Sequence, residues 1–217
     1  MASVLDEAEE ATTGNSAIDE SRRDQIVDAA DDLLSEEGLD ALTIRAVLRR
    51  TGLARRALYE SFGGKDDLVL AVFERVLKRA TQQFNRLLSG VDYPLDRVRV
   101  IVVSIVLGPF GVSEGVEVDR RSAAFSREHL RLAEARPADL AHALGPLLEL
   151  IASEVAAGMR DGSVRDGDPM LAARLIYNLV ATTTHTELLT PEHSPNRADR
   201  QMLADAIWEF CRRAIAA

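Results

Sequence analysis

The sequence has a single cysteine and no long apolar run, and each shortage excludes a class of protein. With only Cys211, the chain can form no intramolecular disulfide and has no thiolate cluster for zinc. The longest apolar run, about residues 100–112, is shorter than the ~20 residues that cross a bilayer. Residues 1–20 lack the basic and apolar segments of a signal peptide. We therefore expect a protein of the reducing cytoplasm, without a membrane partner.

Lysine is also scarce, since two lysines accompany 24 arginines in a chain of net charge -9. Such a bias is typical of genomes rich in G and C, so the positions of the arginines carry more information than their number. Residues 39–65 contain six basic and two acidic residues, which leaves a local charge of +4. A local cationic patch on an acidic protein is typical of a surface that contacts DNA phosphates.

The first 20 residues have the opposite charge, with six acidic and no basic residues. Low hydrophobicity and uniform charge predict disorder. We expect a disordered acidic leader over residues 1–20. It is either inert or competes with DNA for the basic patch.

Helical periodicity begins at residue 21, and alternating strand patterns are missing. The first helix is expected to end near Gly38. Thr43 is placed to cap a short helix over 44–50, and Gly52 separates it from a second short helix over 54–60. A long helix then extends to about residue 89. The remaining helices are predicted over 95–107, 120–135, 138–160, 169–189 and 196–215, so the fold class is all-α.

Residues 22–75, which include ALTIRAVLRRTGLARRALYESFGGKDDLVLAVFE, resemble the DNA-binding domain of the TetR family of one-component transcriptional regulators. The residues that carry the resemblance are Thr43, Gly52, the pair Leu58-Tyr59, Phe62, and the Gly-Lys step before the long helix. The resemblance implies an N-terminal three-helix helix-turn-helix domain over 21–66. It also implies a larger C-terminal helical domain over 67–217 that binds ligand and dimerises.

The resemblance also implies a role for each basic or polar position of the motif. Arg55 and Arg56 would lie on the groove face of the recognition helix and contact bases, and the other positions would contact the DNA backbone. The complete set is Thr43, Arg45, Arg55, Arg56, Tyr59 and Lys65. The alternatives are that Tyr59 is packed and that Arg45, Arg49 and Arg50 form a solvated face. Arg22 and Arg23 are further candidates for DNA contact.

Three positions depart from the family's usual pattern. Ala54 replaces a serine or threonine that would cap the recognition helix, and Ser61 replaces a common histidine. Leu48 stands where a small alanine is usual. These departures leave the fold intact but obscure which bases are contacted.

The last predicted helix is apolar on two faces, which indicates that it packs on its own subunit and on a partner. The alternative is an internal helix of a monomer. In the family, this helix and the one before it form the dimer interface. The interface residues expected here are His185, Leu203, Ile207, Phe210 and Cys211. His185 is otherwise a pH-sensitive contact or a cavity residue.

The apolar helix near residue 100 is expected to form one wall of a cavity for a small apolar ligand. Polar residues on this and other helices could converge on the cavity, and each could instead be an ordinary structural polar group. They are Ser104, His129, His142, Tyr177, Asn178 and Thr182. The four histidines are scattered in the sequence, so we expect no metal site and no cofactor.

The sequence therefore predicts a homodimeric, sequence-specific DNA-binding regulator, released as a repressor from a palindromic operator by a small apolar ligand. The alternative is a DNA-binding regulator without an inducer, whose C-terminal domain only dimerises or binds a protein. A helical enzyme is disfavoured because the sequence has no nucleophile elbow, phosphate loop or metal-ligand spacing.

Overall fold

The computed structural model describes residues 2–37, 42–108, 116–189 and 197–217, and every regular element in these ranges is an α-helix. The expected all-α fold is therefore confirmed. The helices are α1 (Ala2–Glu37), α2 (Ile44–Thr51), α3 (Arg55–Ser61), α4 (Lys65–Leu88), α5 (Pro94–Leu107), α6 (Val116–Ala135), α7 (Pro137–Asp161), α8 (Pro169–Leu189) and α9 (Arg197–Ile215).

The chain divides into two compact units, Met1–Val72 and Phe73–Ala217. The boundary lies inside α4, six residues beyond the expected boundary at residue 66, because the first turns of α4 belong to the first unit. Asp66 and Asp67 occupy the first turn of this helix, where negative charge is favourable for the helix dipole.

Helix α1 differs from the expected disordered leader because it begins at Ala2 and continues to Glu37 without a break. Residues 1–20 contain four alanines and four glutamates, which are strong helix formers. In this segment helix propensity prevails over the charge argument for disorder. The expected C-cap at Gly38 lies outside the described residues.

The first unit has a core in which α1 packs against α2 and α3. Ile26 and Leu33 of α1 are almost completely buried, as are Val47 of α2 and Leu58 of α3. Full burial of each such side chain contributes about 1.5–3 kcal/mol. Two short helices of eight and seven residues are thereby held on a long one.

The turn between α2 and α3 depends on Gly52, which has a left-handed backbone with φ 69°. Its N–H donates to the carbonyl oxygen of Leu48 at 3.0 Å and closes α2. Thr43 caps the other end of α2, since its Oγ1 accepts from the Ala46 N–H at 3.1 Å. The expected cap at Thr43 and the expected glycine turn are both confirmed.

The second unit is built around α7, which packs against α5, α6 and α8, while α5 also packs against α9. Glu154 of α7 is buried and accepts two hydrogen bonds from the Arg97 guanidinium, at 2.6 and 2.9 Å. Arg97 also donates to the carbonyl oxygens of Leu88 and Val91. One arginine therefore fixes α5 to α7 and to the end of α4.

Helix α7 is long and apolar enough to cross a bilayer when only length and composition are considered. Its apolar side chains, however, form the core of the second unit, with Leu140, Leu147 and Ile151 buried along one stripe. A central core position accounts for this composition.

Replacing Gly52 tests the turn. Gly52→Ala is expected to lower the free energy of unfolding by about 1–2 kcal/mol, because alanine is strained at positive φ. The matched control is Gly64→Ala, since Gly64 has no positive φ and a Cβ there meets no neighbouring atom. Urea unfolding followed by circular dichroism measures both. Equal effects of the two changes would contradict the assignment.

Candidate functional site

The six residues expected to contact DNA all lie at the surface of the first unit. Their side chains are exposed, with Tyr59 at 43%. They come from the start of α2, from α3 and from the first residue of α4. They are Thr43, Arg45, Arg55, Arg56, Tyr59 and Lys65.

Helix α3 separates its buried and exposed side chains cleanly. Leu58 is fully buried and Phe62, the residue that ends the helix, is 2% exposed. Arg55 and Tyr59 lie one turn apart on an exposed face, and an Arg55 guanidinium nitrogen lies 3.2 Å from the Tyr59 hydroxyl. The guanidinium also lies 5.4 Å from the centre of the tyrosine ring, within the range of a cation–π interaction. Tyr59 is therefore a partner of Arg55 and not a core residue.

Arg56 forms an ion pair along the same helix, with its Nε 2.7 Å from Glu60 Oε1. Both side chains are largely exposed, so the pair contributes little to stability. Glu60 is not among the residues predicted from the sequence to act at this site, although its position four residues after Arg56 is the spacing at which helical side chains meet. In this position Glu60 holds the Arg56 guanidinium along the helix.

The other arginines of the first unit divide into bound and unbound groups. Arg23 donates to the Ser61 carbonyl oxygen at 3.2 Å and lies over the Phe62 ring. Arg50 pairs with Glu36 at 2.6 Å. Within the described residues, Arg45 and Arg49 are exposed and have no hydrogen bond or ion pair. Arg23 and Arg50 therefore brace the fold, whereas Arg45 and Arg49 project their charge into solvent.

Ala54 occupies the N-cap of α3 and provides no side-chain hydrogen bond, as its methyl group dictates. The backbone compensates in part, since the Ala57 N–H donates to the Ala54 carbonyl oxygen at 3.0 Å. Helix α3 therefore depends on tertiary packing more than on its cap.

The second unit contains a cavity of about 90 Å³ with a mainly apolar wall. The wall comes from α4, α5, α6, α7 and α8, with Arg200 from α9. Four of its residues, Tyr177, Ala181, Thr184 and His185, form a stripe at helical spacing on α8.

Two of the six residues expected to bind ligand belong to the cavity region. Tyr177 lines the cavity, and the His129 Nδ1 lies 3.3 Å from the Tyr177 hydroxyl. The other four do not line it: His142, Asn178 and Thr182 are exposed, and Ser104 is half-buried elsewhere on α5.

Helical rotation explains this correction. Asn178 and Thr182 each follow a cavity residue by one position, which turns them about 100° away around the helix. His142 lies next to the inward-facing Ala143 and Leu144 of α7 and points to solvent. The sequence alone does not show which residues of each helix face the cavity, because this depends on how α5, α7 and α8 pack.

His129, Tyr177 and His185 form a compact polar cluster. The two imidazole rings meet edge to face with 4.6 Å between their centres, and Phe73 packs against His129 from α4. Burial, together with a smaller effect of the neighbouring His185, lowers the pKa of His129 to about 4. Burial also lowers the pKa of His185 and raises the pKa of Tyr177. All three groups are therefore neutral at pH 7.

The residues expected at a dimer interface lie in three different environments. His185 lines the cavity and is 9% exposed. Ile207 and Cys211 are buried within their own unit, and burial raises the pKa of Cys211 to about 11. Leu203 is half-buried, and Phe210 is 65% exposed. One stripe of α9 therefore serves the internal core, and the other remains at the surface.

The exposed stripe of α9 continues onto α8 across an open groove of about 480 Å³. Leu171 and Leu175 of α8 and Phe210 of α9 line this groove and are 46%, 61% and 65% exposed. Met202 of α9 is also exposed. Large apolar side chains gathered on one face are typical of an interaction surface.

Among the described residues, no group of His, Cys, Asp and Glu is arranged to hold a metal.

The sequence matches with known proteins lie mainly in the first unit. Residues 26–72 match the family model described as "Bacterial regulatory proteins, tetR family". The regulator HbdR of Aromatoleum sp. (strain CIB) is 34% identical over 79 residues, which are 36% of this chain and 34% of that protein. Residues 26–72 are therefore a DNA-binding domain of the TetR type. The match spans about a third of the length of HbdR.

Solved TetR-family structures extend the likeness of fold to the second unit. A regulator from Pectobacterium atrosepticum has a TM-score of 0.72 and 21% identity, covering 93% of this chain and 97% of that one. FadR of Bacillus subtilis, solved with stearoyl-CoA, has a TM-score of 0.66 and 16% identity, covering 86% and 96%. At these identities the likeness concerns the fold alone.

The buried histidine gives the second unit a defined pH dependence. The unfolded chain binds a proton at His129 near pH 6.5, and the folded chain only near pH 4. The contribution of His129 to stability is therefore fully present above pH 6.5. Its protonation lowers the free energy of unfolding by up to about 3 kcal/mol as the pH falls to 4.

We expect His129→Gln to flatten this part of the curve, because glutamine does not titrate and can still accept from Tyr177. His142→Gln is the matched control, since His142 is exposed. Urea unfolding between pH 4 and pH 7.5 measures the slopes. An unchanged slope in His129→Gln would show that other groups cause the dependence.

Proposed function

We propose that this protein is a TetR-family regulator: a homodimeric, sequence-specific DNA-binding transcriptional repressor that a small apolar ligand releases from a palindromic operator. The observation that carries the proposal is the exposed cationic face of a helix-turn-helix, whose recognition helix is fixed by buried Leu58 and Phe62. A regulator of this kind acts on chromosomal DNA in the cytoplasm and needs no cofactor.

In this proposal α3 enters the major groove, and Arg55 and Arg56 contact base edges. An arginine binds guanine O6 and N7 with two hydrogen bonds, worth about 1–3 kcal/mol of discrimination. Thr43, Arg45, Tyr59 and Lys65 contact the backbone and set the register. The acidic character of the remaining chain weakens non-specific binding, since like charge repels phosphate.

Dimerisation would join two such units through the exposed apolar face of α8 and α9. Leu171, Leu175 and Phe210 supply apolar area that a second copy could cover. A two-fold dimer uses the same patch on both subunits. Its two recognition helices would then contact half-sites about 34–36 Å apart, one turn of DNA.

Ligand control would act through the cavity of the second unit. A ligand that binds more tightly to the conformation with the wrong spacing of recognition helices shifts the population away from DNA. FadR of Bacillus subtilis was solved with stearoyl-CoA, an example of a structural neighbour that holds a small molecule. The cavity of the second unit, with its apolar wall and the polar residues of α8, could bind a small molecule in this chain.

The division between base and backbone contacts predicts different effects of charge removal. Arg55→Ala or Arg56→Ala is expected to lower operator affinity by about 1–3 kcal/mol while leaving random DNA less affected. Lys65→Ala should weaken binding to both DNAs alike and reduce the salt slope by about one.

Fluorescence anisotropy with the protein's own upstream DNA and with a scrambled duplex measures these effects. Arg86→Ala is the control, because it removes the same charge from an exposed site in the second unit. Equal losses on both DNAs for all three variants would refute the division.

The proposed interface predicts that Leu175→Ser with Phe210→Ser shifts the protein from dimer to monomer. Both side chains are more than half exposed, so the double variant should keep its fold. Sedimentation velocity measures the change, and circular dichroism checks the fold. Leu130→Ser is the control, since Leu130 is 48% exposed on α6, outside this face. A wild-type monomer, or an undisturbed dimer in the double variant, would argue against the interface.

A further inference from the structure

The wall of the cavity is apolar, but one end of its α8 stripe is polar. Aliphatic and aromatic side chains such as Leu77, Phe84 and Ile105 supply most of the wall. Thr184 and His185 stand next to each other on the stripe and both line the cavity. A ligand that fills this space therefore meets apolar groups on most sides and the adjacent polar side chains of Thr184 and His185 at one place, while Ser126, Tyr177 and Arg200 also line the cavity.

The Thr184 hydroxyl lacks the hydrogen bond that its neighbours make. Thr183 Oγ1 donates to the Leu179 carbonyl oxygen at 2.8 Å, and Thr186 Oγ1 donates to the Thr182 carbonyl oxygen at 2.9 Å. Such bonds to the preceding turn are the usual arrangement for threonine in a helix. Thr184 Oγ1 is buried and has no partner among the described residues. An unpaired buried hydroxyl is unfavourable and marks a position where a partner would bind.

The His185 imidazole, like the Thr184 hydroxyl, has no hydrogen-bond partner among the described residues. Its ring contacts His129. A neutral imidazole has one nitrogen that donates and one that accepts, and a hydroxyl can do both. Thr184 and His185 thus present donors and acceptors together, which suits a partner that also has both.

The charges in the cavity wall limit the net charge that a bound ligand can carry. None of the described lining residues carries a carboxylate, so a cationic ligand would be buried without a counter-charge. Arg200 is the one cation among these residues, and it already interacts with another group of the protein. A neutral ligand avoids the desolvation that an anion would need.

Size is the last constraint. An apolar cavity of about 150 Å³ holds a benzene molecule. A cavity of about 90 Å³ is smaller than this, so it suits a short chain and its wall must move outward to admit a single ring.

We propose that the cavity binds a small neutral molecule with a hydroxyl group on an apolar body, and that Thr184 Oγ1 and the His185 imidazole bind this hydroxyl. This assignment rests on the proposed ligand-controlled function and specifies the chemistry of the same site.

The test compares four probes of nearly equal size: phenol, toluene, benzoate and benzylamine. Isothermal titration of the full-length protein at pH 7.5 gives the affinities. We expect phenol to bind about tenfold more tightly than toluene, the effect of one net hydrogen bond. Benzoate and benzylamine should bind more weakly than phenol.

Thr184→Val should lower phenol affinity about tenfold and leave toluene affinity unchanged, because valine keeps the shape and removes the hydroxyl. Its ligand-free melting temperature should equal or exceed that of the wild type, since an unpaired hydroxyl has gone. Thr182→Val is the matched control on the same helix, because Thr182 is exposed and its replacement should not alter phenol binding.

Equal binding of phenol and toluene would overturn the proposal, as would tightest binding of benzoate or no binding of any probe. The same preparation is titrated with the protein's own upstream DNA. Retained DNA binding with a failed probe series would reject the ligand chemistry alone, whereas loss of DNA binding would reject the proposed function itself.

Discussion

The structure of the first unit depends on how α3 is held, because a helix of seven residues is not stable by itself in water. Leu58 and Phe62 bury its inner side, and Gly52 supplies the left-handed turn that brings it onto α1. The helix has no side-chain cap that could compensate for lost packing. The direction in which Arg55 and Tyr59 project therefore follows from apolar burial on the opposite side of the helix.

The charged side chains of α2 and α3 give the first unit a local cationic surface. The chain is acidic as a whole, yet Arg45 and Arg49 extend from α2 without a partner among the described residues. Arg56 is held by Glu60 along the recognition helix. An exposed pair of this kind is weak, so a guanine edge or a phosphate can replace the carboxylate. In the proposed complex, Glu60 would then also disfavour binding to DNA that offers Arg56 no good partner.

Periodicity predicted most of the fold because helical spacing is a local property of the chain. The helix expected over 169–189 agrees with α8 at Pro169–Leu189, and the short helices around Gly52 differ from expectation by a residue. The acidic N-terminal segment was the exception, since charge and helix propensity favoured opposite states. Propensity determined the outcome over residues 2–20.

The cavity was harder to predict because its wall comes from six helices that are distant in the sequence. A shift of one residue separates Tyr177, which lines the cavity, from Asn178, which does not. Nothing in the sequence distinguishes Thr184 from the threonines around it, because the missing hydrogen bond is a property of the packed state. The positions proposed to contact DNA, by contrast, lie within 23 residues of one motif.

The proposed function depends on contact between the exposed face of α3 and base edges in the major groove. Methylation interference on the protein's own upstream DNA tests it most directly, because dimethyl sulfate modifies guanine N7 in the major groove and adenine N3 in the minor groove. We expect methylated guanines to prevent binding at two places about one helical turn apart. Interference by adenines alone, or by no base at all, would contradict it.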